Sequence, residues 1–166
     1  MIKKRPAIIL FIFLAFGGFF FGLETVLGED ADIPTIINAE SLEIELEENK
    51  ATFLGDVKVT QSQGVLESQE LQVIFDKDSG GINTLVAKGK VKITQGGNVG
   101  TCEKAIYEFL PHQKVTMEGN PQLKHGKQNF SGETIIFLLD EDRVVIKKKV
   151  RGVVFPQKKR ELLPLF

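Results

Sequence analysis

The chain has 166 residues, 42% of them hydrophobic and 26% charged, which is the balance of one folded domain rather than of a disordered segment. Its 21 Lys and Arg against 22 Asp and Glu leave a net charge of −1, so the broad positive field of a nucleic-acid-binding protein is absent. A single cysteine, Cys102, excludes an internal disulfide and a cysteine-built zinc site, and says nothing about redox compartment.

Lys3, Lys4 and Arg5 precede an apolar run over 7–23, AIILFIFLAFGGFFFGL. A basic flank before such a run predicts an export signal, with Val26 and Gly28 small enough for the −3 and −1 positions of a cleavage site. A membrane span needs roughly 20 apolar residues, so residues 1–28 act as a cleaved signal or, if retained, as an anchor. Residues 29–35 are acidic and poor in apolar side chains, a linker to the domain expected over 36–156. Strands follow at 36–46, 51–61, 65–75, 84–94, 99–109, 114–124, 130–139 and 144–155. They are separated by turn clusters such as 47–50, 76–81 and 96–98, and by Pro111. The pattern gives eight long strands joined by hairpins, and no helical periodicity appears after residue 35.

The strands repeat. Residues 51–61 read ATFLGDVKVTQ and 85–95 read LVAKGKVKITQ, with looser copies at 115–125 and 148–156. Gly55, Gly89, Gly119 and Gly152 recur at spacings of 34, 30 and 33 residues, a period of stacked units that bury their apolar faces on one another. Apolar residues occupy every second position, so each strand has one dry face and one wet face. Glycine at mid-strand is costly unless the strand bends, so the four glycines predict a line of bends that folds the sheet into two leaves, dry faces inward. On the intervening strands Ala39, Ser68, Cys102 and Gly132 lie three residues before Leu42, Leu71, Ala105 and Ile135. Small residues suit such corners, which makes Cys102 a corner-filler rather than a nucleophile.

Residues 37–75, INAESLEIELEENKATFLGDVKVTQSQGVLESQELQVIF, resemble the OstA-like N-terminal domain family of LptA-type lipopolysaccharide transport proteins. The carriers are the Ala-Glu-Ser-Leu opening (39–42), the Ala-Thr-Phe-x-Gly-Asp-Val-x-Val-Thr-Gln strand (51–61) and the Gly-x-Leu-x-Ser-x-x-Leu return (64–71). The resemblance continues more loosely to about residue 155. It implies an all-β fold: an open, twisted, bent antiparallel sheet of jellyroll type with an apolar groove. It implies a periplasmic protein that binds lipopolysaccharide acyl chains, stacks head to tail with its own copies, and meets an inner-membrane LptC-like and an outer-membrane LptD-like partner. A retained leader would favour an LptC-like, membrane-anchored role instead; an exported structural β-protein without lipid ligand is the third reading. Two features depart from the family: Pro121, where other copies carry Val57 and Val91, and the tail 157–166, QKKRELLPLF.

The candidate groove-lining residues are Leu42, Ile44, Phe53, Val57, Val59, Leu71, Val73, Phe75, Leu85, Val91, Ile93, Tyr107, Phe109, Ile135 and Phe137. The pattern alone allows these to be the core of a closed sandwich. Residues 29–48 carry eight acidic and no basic side chains, and residues 143–160 carry eight basic and no acidic ones. Opposite charge on the two terminal strands would favour head-to-tail contact; equally, Lys147, Lys148 and Lys149 could guard an edge, or Lys158, Lys159 and Arg160 could meet anionic headgroups. His112, His125, Asp76 and Asp78 fall in or beside turns with no partner pattern, so no catalytic residue, metal or cofactor is expected.

Overall fold

Alternating apolar and polar residues form strands wherever the sequence repeats them. The computed structural model describes residues 34–109 and 111–155, in which β1 (Ile36–Asn38) and β2 (Ser41–Glu45) are followed by four long strands. These are β3 (Lys50–Gln61), β4 (Gly64–Phe75), β5 (Ile82–Gln95) and β6 (Asn98–Glu108). Then come β7 (Lys114–Glu118), β8 (Gln122–His125), β9 (Gln128–Ser131), β10 (Thr134–Leu138), β11 (Arg143–Lys147) and β12 (Arg151–Val153). The twelve segments are eight passes of the chain, because β1/β2, β7/β8, β9/β10 and β11/β12 are each one strand broken at its middle. The expected leader, most of the linker and the tail 157–166 lie outside the described residues.

All pairings are antiparallel, and each pass contributes to two leaves. The first leaf contains β2, the adjoining halves of β3 to β6, then β7, β10 and β11. The second contains β1, the other halves of β3 to β6, then β8, β9 and β12. Because β3 to β6 run unbroken through both, the sheet is a single bent surface.

The bend has a common construction. Two consecutive residues take left-handed backbone conformations: Gly55 (φ 77°) and Asp56 (φ 41°), Gly89 (76°) and Lys90 (49°), Gly119 (75°) and Asn120 (53°). Glycine opens each pair because the left-handed region carries no steric cost without a Cβ. A second reason is local: a Cβ at these glycines would run into the side chains of Glu40, Gln69 and Glu103 on the neighbouring strand. That neighbour also holds the corner by its backbone, since the Glu40 N–H donates to the carbonyls of Leu54 (3.0 Å) and Gly55 (3.1 Å), and the Glu103 N–H to that of Gly119 (3.1 Å). Ala39, Ser68 and Cys102 each precede one of these corner residues, as small residues at a bend should, and Gly132 precedes a fourth, Glu133.

The fourth bend corrects the sequence reading. It falls at Lys148 (φ 56°) and Lys149 (φ 45°), while Gly152 lies within β12 opposite Phe130. Here the corner residue is Glu133, whose N–H donates to the carbonyls of Lys147 (3.0 Å) and Lys148 (3.1 Å). Its carboxylate meets the ammonium groups of Lys149 at 2.8 Å and Lys148 at 3.7 Å. No glycine opens this bend; two lysines facing Glu133 take its left-handed conformations. The Lys149 hydrogen bond, more than any other influence, holds the Glu133 carboxyl below its ordinary value of 4.5. A depressed carboxylate contributes stability above its unfolded pKa and loses it as pH falls below, a small effect for so exposed a pair. Pro121 is also placed: it is buried in the third bend, unpaired between β7 and β8, and β8 is flanked on both sides by β6 and β9.

Cys102 fills a corner, buried beside the backbone of Lys104 and Glu118, and burial pushes its thiol up to about 12. An unfolded thiol ionises near 9.0, so stability falls as pH rises from there toward 12. At about pH 8 the folded chain should react with Ellman's reagent on the order of a hundredfold slower than the denatured chain. Equal rates would show a mobile corner.

Candidate functional site

Residues paired directly across antiparallel strands share a face, so the register defines the inner rows of each leaf. The second leaf has one row running Ile37, Val59, Leu66, Ile93, Gly100, Leu123, Phe130, Gly152. The first leaf has two: Ile44, Ala51, Val73, Leu85, Tyr107, Val115, Phe137, Val144, and Leu42, Phe53, Leu71, Ala87, Ala105, Met117, Ile135, Ile146. Nearer the bend, Val57, Ser68, Val91 and Cys102 are buried along the crease.

The two leaves do not meet equally along their length. In the later passes they close on each other: Val115, Met117, Ile135, Phe137 and Leu123 are all buried. Over the first passes they stand apart and leave an apolar cavity of about 260 Å³. Its walls are Ile37, Val59, Leu66 and Ile93 from the second leaf, Ala51, Phe53, Leu71, Val73 and Leu85 from the first, with Thr35, Phe75 and Ile82 completing the lining. Beyond Ala51 and Phe53, Ile44 and Leu42 continue the inner rows onto β2 but remain 60% and 51% exposed. Large apolar side chains left uncovered in line with an apolar cavity mark a mouth.

Of the fifteen candidates from the sequence, Phe53, Val59, Leu71, Val73, Phe75, Leu85 and Ile93 line this cavity. Leu42 and Ile44 lie at its mouth. Val57 and Val91 are in the crease, and Tyr107, Ile135 and Phe137 are packed in the closed half. Phe109 lies beside Tyr107, ring centroids 4.1 Å apart. Burial pushes the Tyr107 hydroxyl up to about 12, the Asp140 charge adding to it, and that hydroxyl donates to Gln113 Oε1 at 3.2 Å. Thr35, Ile37, Ala51, Leu66 and Ile82 were missed as lining. Strict alternation from Leu71 places Leu66 on the wet face; the register shift between Glu67 and Glu70 returns it to the dry one, and Ser68 was the available sign of that shift. A second shift between Ile74 and Phe75 hides Ile82 in the same way.

The turn residues carry ordinary turn chemistry. Asp76 Oδ1 accepts from the Ser79 N–H at 2.8 Å. His112 is open to solvent, its Nδ1 3.5 Å from Asp140. Among the described residues, no three His, Cys, Asp or Glu side chains gather as metal ligands. No described helix is long and apolar enough to cross a membrane.

The open edges differ in charge. At the first edge β2 carries Glu43 and Glu45, the latter 3.0 Å from Lys50. At the last, β11 and β12 carry Arg143, Lys147 and Arg151, with Arg143 2.7 Å from Glu141. Lys148 and Lys149 face Glu133 of their own chain, so they belong to the bend as much as to the edge.

Three similarities bear on this arrangement. Residues 36–143 match the family described as LptA/(LptD N-terminal domain) LPS transport protein. An uncharacterized protein of Rhizobium meliloti is 29% identical over 109 residues, covering 61% of this chain; the chain spans 58% of that relative's length. The crystal structure of LptH, described as the LptA-homologous periplasmic component of the lipopolysaccharide transport device of Pseudomonas aeruginosa, superposes with a TM-score of 0.64. That match is 18% identical and covers 75% of this chain and 96% of LptH, a likeness of fold.

Proposed function

The chain belongs to the LptA/LptD N-terminal domain family of lipopolysaccharide transport proteins, and we propose that it works in the periplasm, holding lipopolysaccharide acyl chain between its two leaves. The observation that carries this reading is the apolar cavity between the first passes, continued to the surface by Leu42 and Ile44. An acyl chain in water costs roughly 0.8 kcal/mol per methylene, so a carrier must keep a dry surface open rather than close it into core. The first passes do this; the later ones supply the packed half that holds the leaves together.

The same reading extends to assembly. Both ends of the bent sheet are open edges, acidic at β2 and basic at β11 and β12. Such edges favour head-to-tail stacking of copies, a contact that does not close and therefore makes a bridge. LptC-like and LptD-like proteins would then meet the two ends of the stack. Because Lys148 and Lys149 are engaged with Glu133, the edge charges to exchange are Glu43 and Lys147. Glu43→Lys or Lys147→Glu alone should lower self-association in analytical ultracentrifugation by about tenfold, and a mixture of the two should restore it. A wild-type chain that stays monomeric at every concentration and salt would refute stacking.

The ligand is tested by mass spectrometry of lipid that co-purifies with the periplasmic protein. Lipopolysaccharide enriched over phospholipid supports the proposal. A lipid-free chain that also fails to bind added lipopolysaccharide contradicts it.

A further inference from the structure

We propose that Met117, seated on Gly100, is the residue that sets how long an acyl chain the cavity accepts. The inference rests on the lipid-binding reading above and adds where the chain must stop. The row Ile37, Val59, Leu66, Ile93 on the second leaf is continuous cavity wall, and its next member is Gly100. The nearest atoms that a side chain there would meet belong to Met117 and Leu123. The Met117 methyl is 3.2 Å and its sulfur 3.8 Å from where a Cβ would stand, with Leu123 at 3.5 Å. Met117 comes from β7 on the opposite leaf and is 1% exposed. It therefore spans the gap between the leaves, and the missing side chain at Gly100 is the socket that receives its tip.

The cavity wall ends at Leu85 and Ile93 on β5; in the row of Met117 only Ala87 and Ala105 stand between it and the wall residue Leu71, and the residues beyond it, Ile135 and Leu123, are packed. Four passes at the usual strand spacing make the open part about 14 Å long. An extended octanoate is shorter than that; palmitate is longer. Methionine suits a stop of this kind, being unbranched and able to change rotamer without breaking the surrounding packing. A longer chain must displace it, and lipid passing on toward the later passes must do so too.

The sequence has two methionines, Met1 and Met117, so [13C-methyl]methionine gives Met117 its own signal in the intact protein. With both ligands bound, palmitate should shift the Met117 methyl resonance and octanoate should leave it in place. Met117→Ala should bind palmitate about tenfold more tightly than wild type, the effect of burying roughly two more methylenes, and octanoate within about twofold. The wild-type spectrum does not depend on the variant folding. If both fatty acids bind and the methyl responds to both or to neither, the stop is refuted while the cavity stands. If neither binds, the cavity reading falls and this inference with it.

Discussion

Gly119→Ala should lower the unfolding free energy by about 3 kcal/mol, while Gly152→Ala should cost about 1 kcal/mol or less. The two glycines look alike in the sequence repeat, and the structure separates them. Gly119 has φ 75°, where an alanine costs roughly 1–2 kcal/mol in backbone strain. Its new methyl would also stand 2.5 Å from the Glu103 Cβ and 2.8 Å from its Cγ. The Cβ is fixed to the backbone of β6 and cannot swing away as the Cγ can, so overpacking adds about 1–3 kcal/mol. Gly152 lies within β12, and an added methyl would meet only the edge of the Phe130 ring, at 3.2 Å. Urea unfolding of both variants measures the difference directly, provided the slope with denaturant is unchanged. Equal losses would mean that the left-handed pair is not what makes the bend.

Ala51→Phe should reduce binding of a fluorescent fatty acid, cis-parinaric acid, by about a hundredfold, the affinity carried by roughly three to four methylenes. Ala51 is the small member of its inner row, between Ile44 and Val73, and lines the cavity. A phenyl ring there projects into the space an acyl chain would use. Filling an apolar cavity ordinarily adds about 0.5–2 kcal/mol of stability, so the variant should melt at the wild-type temperature or above. Lost binding with retained stability separates occupation of the cavity from general unfolding. Unchanged binding would place the ligand elsewhere.

Much of this architecture was legible because the side-chain period of a strand is two and the repeat was written four times. The eight passes, their turns and the bend at Gly55, Gly89 and Gly119 follow from that. The fourth bend was not legible as a glycine, because two lysines, Lys148 and Lys149, take the left-handed conformation there, facing Glu133. The division of the interior was harder still. Leu71 and Ile135 occupy equivalent places after their corners, yet one lines a cavity and the other is fully buried. What distinguishes them is how closely the facing leaf approaches, and that depends on pairs such as Met117 and Gly100 that are 17 residues apart in sequence. Parity also misled. Leu66 and Ile82 reach the dry face only through register shifts, which alternation alone does not count.

On the proposed function, lipopolysaccharide acyl chains occupy the space between the first passes of the two leaves. A photoreactive phenylalanine analogue tests it when placed at Phe53, on the cavity wall, and separately at Val86, on the outer face of the first leaf between Gln72 and Ile106. Irradiation of cells exporting each protein to the periplasm should give a lipopolysaccharide adduct from position 53 and none from position 86. Adducts from both positions alike, or from position 86 alone, would contradict an interior lipid site.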